Sequence, residues 1–239
     1  MTSVPSEQYR TQTAHSIPRR AVLGLVGAAA ASRFVLPVSA ERERRTIYFE
    51  PATYAVVDEF GNHPSARTSS ATLLYDAYVF ASDESEDHEA SALRAPDGTQ
   101  VTWGRFRDVH GSVTLECVER GTRVTVHAWD LLDDGLYTVW VVVLDGDTVV
   151  GAAPLGANDG SQSGFRASAS GRGRLIAVDE PGPLTADLSD DPLYADYVSP
   201  GCLLDSDFTV EIAGAYHYDD ATHGAEPRPN AVEHFSALF

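Results

Sequence analysis

The chain contains no lysine, a single methionine and only two cysteines among its 239 residues. Its 17 basic residues are therefore all arginines. Together with 35 acidic residues they give a net charge of −18. This deficit of basic groups argues against a nucleic-acid partner, because phosphate backbones are bound mainly through Lys and Arg. Apolar runs of the roughly 20 residues needed to span a bilayer are also missing. The sequence predicts neither nucleic-acid binding nor a transmembrane segment.

The acidity is concentrated after residue 40. Residues 41–239 carry 13 arginines against 34 acidic residues, so their net charge is 13 − 34 = −21. Such a composition is typical of proteins that work in concentrated salt. At molar salt the Debye length falls to about 3 Å, so repulsion between carboxylates is screened while they keep the surface hydrated. A solvated, halophilic surface is the favoured interpretation, and a site for cations or basic partners is the alternative.

The first 40 residues have the order of an export signal. Arg19 and Arg20 precede an apolar stretch at residues 21–31, and the tripeptide VSA at residues 38–40 offers a cleavage site. The paired arginines resemble a twin-arginine signal. We predict a cleaved or disordered signal peptide at residues 1–40 and an acidic domain at residues 41–239 that is exported, extracellular or at the cell surface. The apolar stretch is too short for a membrane anchor.

Turn signals recur about every ten residues after residue 100 and separate short segments rich in Val, Thr and aromatic residues. Alternation at Val124, Val126 and Ala128 is typical of a strand with one buried face. Residues 137–144 are apolar on both faces, as in a central strand, and residues 100–106 (QVTWGRF) fit the same series of strands. The pattern predicts an all-β fold, with a single antiparallel β-sandwich over about residues 46–239.

Three segments carry a resemblance to known proteins: CVERGTRVTVHAWDLLDDGLYTVWVVVL, LGANDGSQSGFRASASGRGRLIA and CLLDSDFTVEIAGAYHYDDATHG. Through them, residues 101–239 resemble a family of exported, mostly uncharacterised haloarchaeal and bacterial β-sandwich proteins with no known activity. Residues 137–140 also bear a fainter likeness to copper/zinc superoxide dismutases. The histidine ligands of those enzymes are absent, so this likeness implies their immunoglobulin-like architecture and not their activity.

Cys117 and Cys202 both lie in the part predicted to be exported, where oxidation is permitted. A disulfide is the favoured interpretation, and it would stabilise the fold by roughly 4 kcal/mol in the chain-entropy model. It requires residues 112–118 to lie near the turn at residues 200–201, and two separate buried thiols are the alternative. A blue-copper site is not favoured, because Met1 is the only methionine and leaves with the leader.

Imidazole and carboxylate groups, which together bind zinc or copper, are concentrated near the C-terminus. On a strand His217 and Asp219 share one face, and a loop brings His223 back beside them. The residues predicted as metal ligands are His217, Asp219, His223 and His234. Candidate additional ligands from neighbouring strands are His110 and His127. The alternative is that His217 packs at a strand end, that the other residues lie in a solvated loop, and that no cofactor is bound.

A complete catalytic motif is not found, and no Ser stands in the Gly-x-Ser-x-Gly setting of a nucleophile elbow. The first hypothesis is therefore a non-catalytic extracellular structural or binding module rather than an enzyme. Its candidate partners are cell-envelope proteins or glycans, with Trp103, Trp129 and Trp140 as candidate aromatic contacts. The second hypothesis is a metal-binding protein or metal-dependent enzyme that uses the C-terminal His/Asp cluster with zinc or copper.

Overall fold

A computed structural model describes residues 43–77, 91–146, 148–184, 198–226 and 230–239. The predicted signal peptide, residues 1–40, lies outside these ranges. The described residues confirm the all-β fold and add one short helix, α1 (Trp103–Arg107), with single 3-10 turns at Thr53–Ala55 and Leu203–Asp205. The described strands are β1 (Arg44–Pro51), β2 (Val56–Val57), β3 (Tyr75–Asp76), β4 (His110–Val118), β5 (Gly121–Trp129), β6 (Leu136–Asp145), β7 (Thr148–Pro154), β8 (Gly164–Arg166), β9 (Gly173–Asp179), β10 (Gly182–Pro183), β11 (Val198–Ser199), β12 (Thr209–His217) and β13 (Ala231–Leu238).

Nine of these strands belong to one large, curled antiparallel sheet. Their order is β7, β6, β12, β13, β1, β4, β5 and β9, and β8 pairs with the free end of β6. Strand β1 joins the strands β7, β6, β12 and β13 to the strands β4, β5 and β9. Its residues 44–49 pair with β4, whereas Glu50 and Pro51 pair with β13. The hydrogen bonds thus form one continuous sheet, and its division into the two packed layers of a sandwich stays a prediction. Residues 137–144 lie within β6 between two neighbours, as expected for a central strand.

The main core gathers apolar side chains from every strand of the large sheet. Tyr137, Tyr216 and Phe235 are among its largest fully buried side chains. Phe235 stacks on Phe49 with ring centroids 4.3 Å apart. Its ring also covers Gly214, where a Cβ would come within 2.1 Å of the ring. Glycine is therefore required at that point of β12, since any larger residue would displace the aromatic pair.

A second cluster occupies the opposite face of strands β6, β7, β12 and β13. Trp140 packs there against four alanines, which are Ala152, Ala213, Ala215 and Ala231. We call this surface the Trp140 face. Alternate residues of a strand share a face, so Thr138 lies on it with Trp140, and His217 lies on it with Ala215. The Trp140 face thus combines a small apolar cluster with the buried polar side chains of Thr138 and His217.

An irregularity in the pairing of β12 with β13 decides which β13 side chains reach each face. Ala215 is opposite Glu233 and Gly214 is opposite Phe235, so the register skips His234. One extra residue in a strand changes the alternation, as in a β-bulge. Glu233 therefore lies on the Trp140 face, two residues after Ala231, whereas Phe235 enters the main core.

Residues 100–106 do not form the predicted strand, which is a correction to the sequence-based interpretation. Trp103–Arg107 is an α-helix, and Thr102 caps its N-terminus by accepting a hydrogen bond from the Arg105 amide at 3.4 Å. Trp103 and Phe106 lie one turn apart and are both buried. Their three-residue spacing is the helical signal that the strand interpretation overlooked.

The disulfide between Cys117 and Cys202 is present, with Cα atoms 5.3 Å apart, and it confirms the pairing predicted from the sequence. It ties the end of β4 to the segment that precedes β12. The Leu203 amide also donates to Oγ1 of Thr122 on β5 at 2.7 Å. Oγ1 of Thr122 in turn donates to the Gly201 carbonyl at 3.4 Å. The segment is therefore held to the β4–β5 hairpin by the disulfide and by two hydrogen bonds of Thr122.

Candidate metal centre

Three of the predicted ligands meet where β12 ends. His217 is the last residue of β12, and Asp219 and His223 belong to the connection that leads towards β13. One ring nitrogen of each histidine and one carboxylate oxygen of Asp219 all lie within 4.8 Å of one another. The chain turns back immediately after the strand, with Asp220 in the left-handed region at φ 61°. This turn is what brings His223 next to the strand end.

Asp219 is held in place by several hydrogen bonds. Its Oδ1 accepts from the Ala221 amide at 3.2 Å, and its Oδ2 accepts from Asn230 Nδ2 at 3.2 Å. Nε2 of His223 lies 2.9 Å from the same Oδ2. Burial alone would raise the pKa of Asp219, but the bonds from Asn230, Ala221 and His223 outweigh it and lower the pKa. The carboxyl group is therefore ionised at neutral pH, as a metal ligand must be.

His217 is almost completely buried, with 1% of its surface exposed. Its Nε2 lies 2.7 Å from Oγ1 of Thr138, which also accepts a hydrogen bond from Trp140 Nε1 at 2.9 Å. Its Nδ1 has no hydrogen-bond partner among the described residues. When Nε2–H donates to Thr138, Nδ1 carries a free lone pair. His217 thus combines a hydrogen-bonded nitrogen with an unused one, the arrangement of most metal-bound histidines.

The electrostatics keep His217 neutral. Burial is the main cause, and the neighbouring His223 adds to it, so that the pKa of His217 falls to about 4 although Asp219 acts in the opposite direction. A neutral imidazole is the form that coordinates a metal ion. The cluster therefore presents two imidazoles, one of them held neutral, and one carboxylate at neutral pH.

The structure does not bring His234, the fourth predicted ligand, to this cluster. His234 lies in the main core on the opposite face of the sheet from His217. Its Nε2–H donates to the Phe106 carbonyl at 2.8 Å, and its Nδ1 accepts from Tyr137 Oη at 3.0 Å. Burial lowers the pKa of His234 to about 4, so it stays neutral. With both nitrogens bonded, His234 serves to join α1 to the sheet.

The two additional candidates also lie elsewhere. His110 on β4 and His127 on β5 flank Trp129, with ring centroids 5.8 Å and 6.3 Å from it. Nδ1 of His110 lies 3.2 Å from the Asp130 carboxylate. Neither histidine belongs to the group around His217. The cysteines cannot supply a thiolate ligand, because both are in the disulfide.

Sequence reasoning did not identify Thr138, Trp140 or Asn230 as parts of this site. Thr138 and Trp140 lie on the same face of β6, and β6 is the neighbour of β12 in the sheet. Their two-residue spacing in a predicted central strand was the available signal, because it places the hydroxyl and the indole on one face of the sheet. Asn230 offered no such signal, because it approaches Asp219 only through the pairing of β12 with β13.

A pair of buried carboxylates on the same Trp140 face was missed as well. Tyr54 Oη donates a hydrogen bond to Glu233 and lies 3.4 Å from Oε1 of Glu211. Burial, followed by repulsion from Glu211, raises the pKa of Glu233 to about 8, and burial also raises the pKa of Glu211. Glu233 consequently retains its proton at neutral pH. Neither Glu211 nor Glu233 belongs to the group of three candidate ligands.

Comparison of the chain with protein-family models, with curated proteins and with solved structures gives no match. The helices of the described residues are all too short or too polar to cross a membrane. The site's own geometry is therefore the basis for a functional proposal.

Proposed function

We propose that this chain is an exported binding module, without catalytic activity of its own, that holds one divalent transition-metal ion through His217, Asp219 and His223. The observation that carries the proposal is the buried Nδ1 of His217, which has no hydrogen-bond partner among the described residues. A buried polar atom without a partner costs about 1–3 kcal/mol. A metal ion at this position would remove that cost, because Nδ1 would donate its lone pair to the ion.

The ligand set supports zinc as the ion and copper as the alternative. Two imidazoles and one carboxylate match the donors that Zn²⁺ takes in proteins, and three protein ligands leave one position open. Hard ions such as Mg²⁺ and Ca²⁺ prefer sets made of oxygen atoms alone. The contacts of Thr138 and Asn230 would orient His217 and Asp219 in the way that outer partners orient metal ligands.

The proposed setting is the cell exterior. The twin-arginine-like leader predicts export, and the Cys117–Cys202 disulfide is of the kind that persists in oxidising compartments. The acidic composition favours a salt-rich medium. Cell-envelope proteins or glycans are the partners proposed for the rest of the surface.

Zinc titration tests this proposal, with bound metal counted by elemental analysis after dialysis. Molar KCl and excess Mg²⁺ would occupy the exposed carboxylates without competing for imidazole. We expect one zinc per chain, a loss of at least tenfold in affinity for His223→Ala, and no change for His110→Ala, whose histidine lies on β4. Less than stoichiometric zinc in the unmodified chain, or equal affinity in both variants, would refute the proposal.

A further inference from the structure

A cavity of about 330 Å³ opens beside two of the three candidate ligands. His217 and Asp219 form part of its wall, and Arg94 and Arg166 form another part. An ion bound by His217 and Asp219 would therefore lie next to a space that Arg94 and Arg166 also line. Arginine close to an open metal position is suited to binding an anion, because its planar donors match the oxygens of carboxylate and phosphate groups.

Arg166 is largely committed to other groups. Its Nη1 lies 2.7 Å from the Asp134 carbonyl and 2.7 Å from Oδ1 of Asp220. The Asp220 carboxylate compensates its charge. Arg166 thus lines the cavity with its charge already paired.

Arg94 differs because it has no carboxylate partner among the described residues. Its Nη1 donates to the Gly98 carbonyl at 3.0 Å, which leaves most of the five donors of the guanidinium unused. Its backbone is fixed by Tyr216, whose Oη donates to the Arg94 carbonyl at 2.7 Å. In a chain with 35 acidic residues, an exposed arginine that lines a cavity and has no carboxylate partner among the described residues is a candidate anion-binding group.

The charge around the cavity makes anion binding depend on the metal. Its lining contains two arginines, Arg94 and Arg166, and three aspartates, Asp134, Asp219 and Asp220, so the balance is 2 − 3 = −1. A divalent ion would change this balance to −1 + 2 = +1. The empty cavity should therefore repel an anion, whereas the metal-loaded cavity should attract one.

We propose that the metal-loaded site binds a small oxyanion, a carboxylate or phosphate group, between the open position of the metal ion and the guanidinium of Arg94. This inference rests on the proposed function, because it needs the metal ion. The protein's ligand would then be a small anionic molecule, or an anionic group on a larger one, that is recognised only when metal is present.

Cobalt(II) absorption tests this proposal, because the visible spectrum changes when a new ligand enters the coordination sphere. The full chain would first be titrated with Co²⁺ alone, which measures metal binding. Acetate and methyl phosphate would then be added separately at constant chloride, so that the two arms distinguish a carboxylate from a phosphate preference. The variants are Arg94→Met and, as a control for the loss of one positive charge, Arg174→Met on the edge strand β9.

We expect one or both anions to shift the cobalt spectrum of the unmodified chain and of Arg174→Met. Arg94→Met should bind cobalt as tightly as the unmodified chain does. It should bind the anion roughly 10- to 100-fold more weakly, which is the effect expected for the loss of a charge-assisted hydrogen bond. Cobalt binding with no anion effect, or with equal anion affinity in both variants, would overturn the anion proposal and leave metal binding standing. A chain that binds no cobalt would refute both proposals.

Discussion

Oγ1 of Thr138 lies 2.7 Å from Nε2 of His217, and this contact leaves Nδ1 as the one ring nitrogen of His217 without a partner among the described residues. The same hydroxyl accepts from Trp140, so its position is fixed from two sides. The hydrogen bond therefore selects both the orientation of the imidazole and the nitrogen that is available to an ion.

Replacing Thr138 by Val tests this relationship, because valine keeps the shape and removes the hydroxyl. We expect zinc affinity to fall by about tenfold, the lower end of the effect of losing an outer partner of a metal ligand. Thr125→Val on β5, distant from the site in the sheet order, is the matched control and should bind zinc normally. Equal affinities of Thr138→Val and the unmodified chain would show that the hydroxyl does not position His217.

The disulfide should make a large contribution to stability. In the chain-entropy model, a bridge across a separation of 85 residues stabilises by roughly 4–5 kcal/mol. The double variant Cys117→Ala, Cys202→Ala should therefore unfold at a clearly lower urea concentration in molar KCl. A thiol assay on the unfolded, non-reduced protein gives the chemical check, since the structure requires that no free thiol be found.

Glu233 should make stability depend on pH. Because its pKa is raised in the folded chain from 4.5 to about 8, the folded state holds this proton more tightly than the unfolded state does. The contribution is complete below about pH 4.5 and is lost as the pH rises through about 8. Glu233→Gln has no proton to lose, so its urea midpoint should fall less over this range than that of the unmodified chain.

The control for this experiment is Glu50→Gln, which changes an exposed carboxylate on β1. Its midpoint should follow that of the unmodified chain at each pH. If the urea midpoint of Glu233→Gln falls with pH as much as that of the unmodified chain, then Glu233 does not titrate in the way that its burial beside Glu211 implies.

Tyr137→Phe tests the structural role assigned to His234. The substitution removes the donor to His234 Nδ1 and the acceptor of the Leu132 amide, which lies 3.0 Å from Tyr137 Oη. Leaving buried polar groups without partners should destabilise the fold by about 1–3 kcal/mol. Tyr48→Phe, at a residue that is 81% exposed, is the control and should be neutral. Zinc affinity should not change in either variant, whereas a loss in Tyr137→Phe would show that His234 affects the metal site.

Several strands of the sheet and the covalent link followed from local patterns, whereas β13 was not predicted. Alternation at Val124 and Val126 identified β5, and the doubly apolar residues 137–144 identified β6 as a central strand. Cys117 and Cys202 had only each other as partners. A strand pattern depends only on residues that are close in the sequence, and the disulfide depends only on there being two cysteines. A single sequence therefore contains enough information to predict both features.

The division of the histidines between two faces did not follow from the sequence. His217 and His234 lie on adjacent strands, yet one belongs to the Trp140 face and the other to the main core. The difference depends on the pairing register of β12 with β13, including the residue that the register skips, and a hydrophobic pattern does not specify that register. Asn230 reaches Asp219 for a related reason, because it immediately precedes β13 and Asp219 follows β12, so the pairing of these strands brings the two residues together.

The most direct test of the proposed metal site is an anomalous difference map from a crystal of the full chain grown with zinc and measured at the zinc absorption edge. We expect one strong peak per chain, about 2.0–2.1 Å from a ring nitrogen of His217 and of His223 and about 2.0–2.2 Å from a carboxylate oxygen of Asp219. The nitrogen of His217 should be Nδ1, with Nε2 still bonded to Thr138. A map with no peak at these residues, or with zinc only on surface carboxylates, would contradict the proposed site.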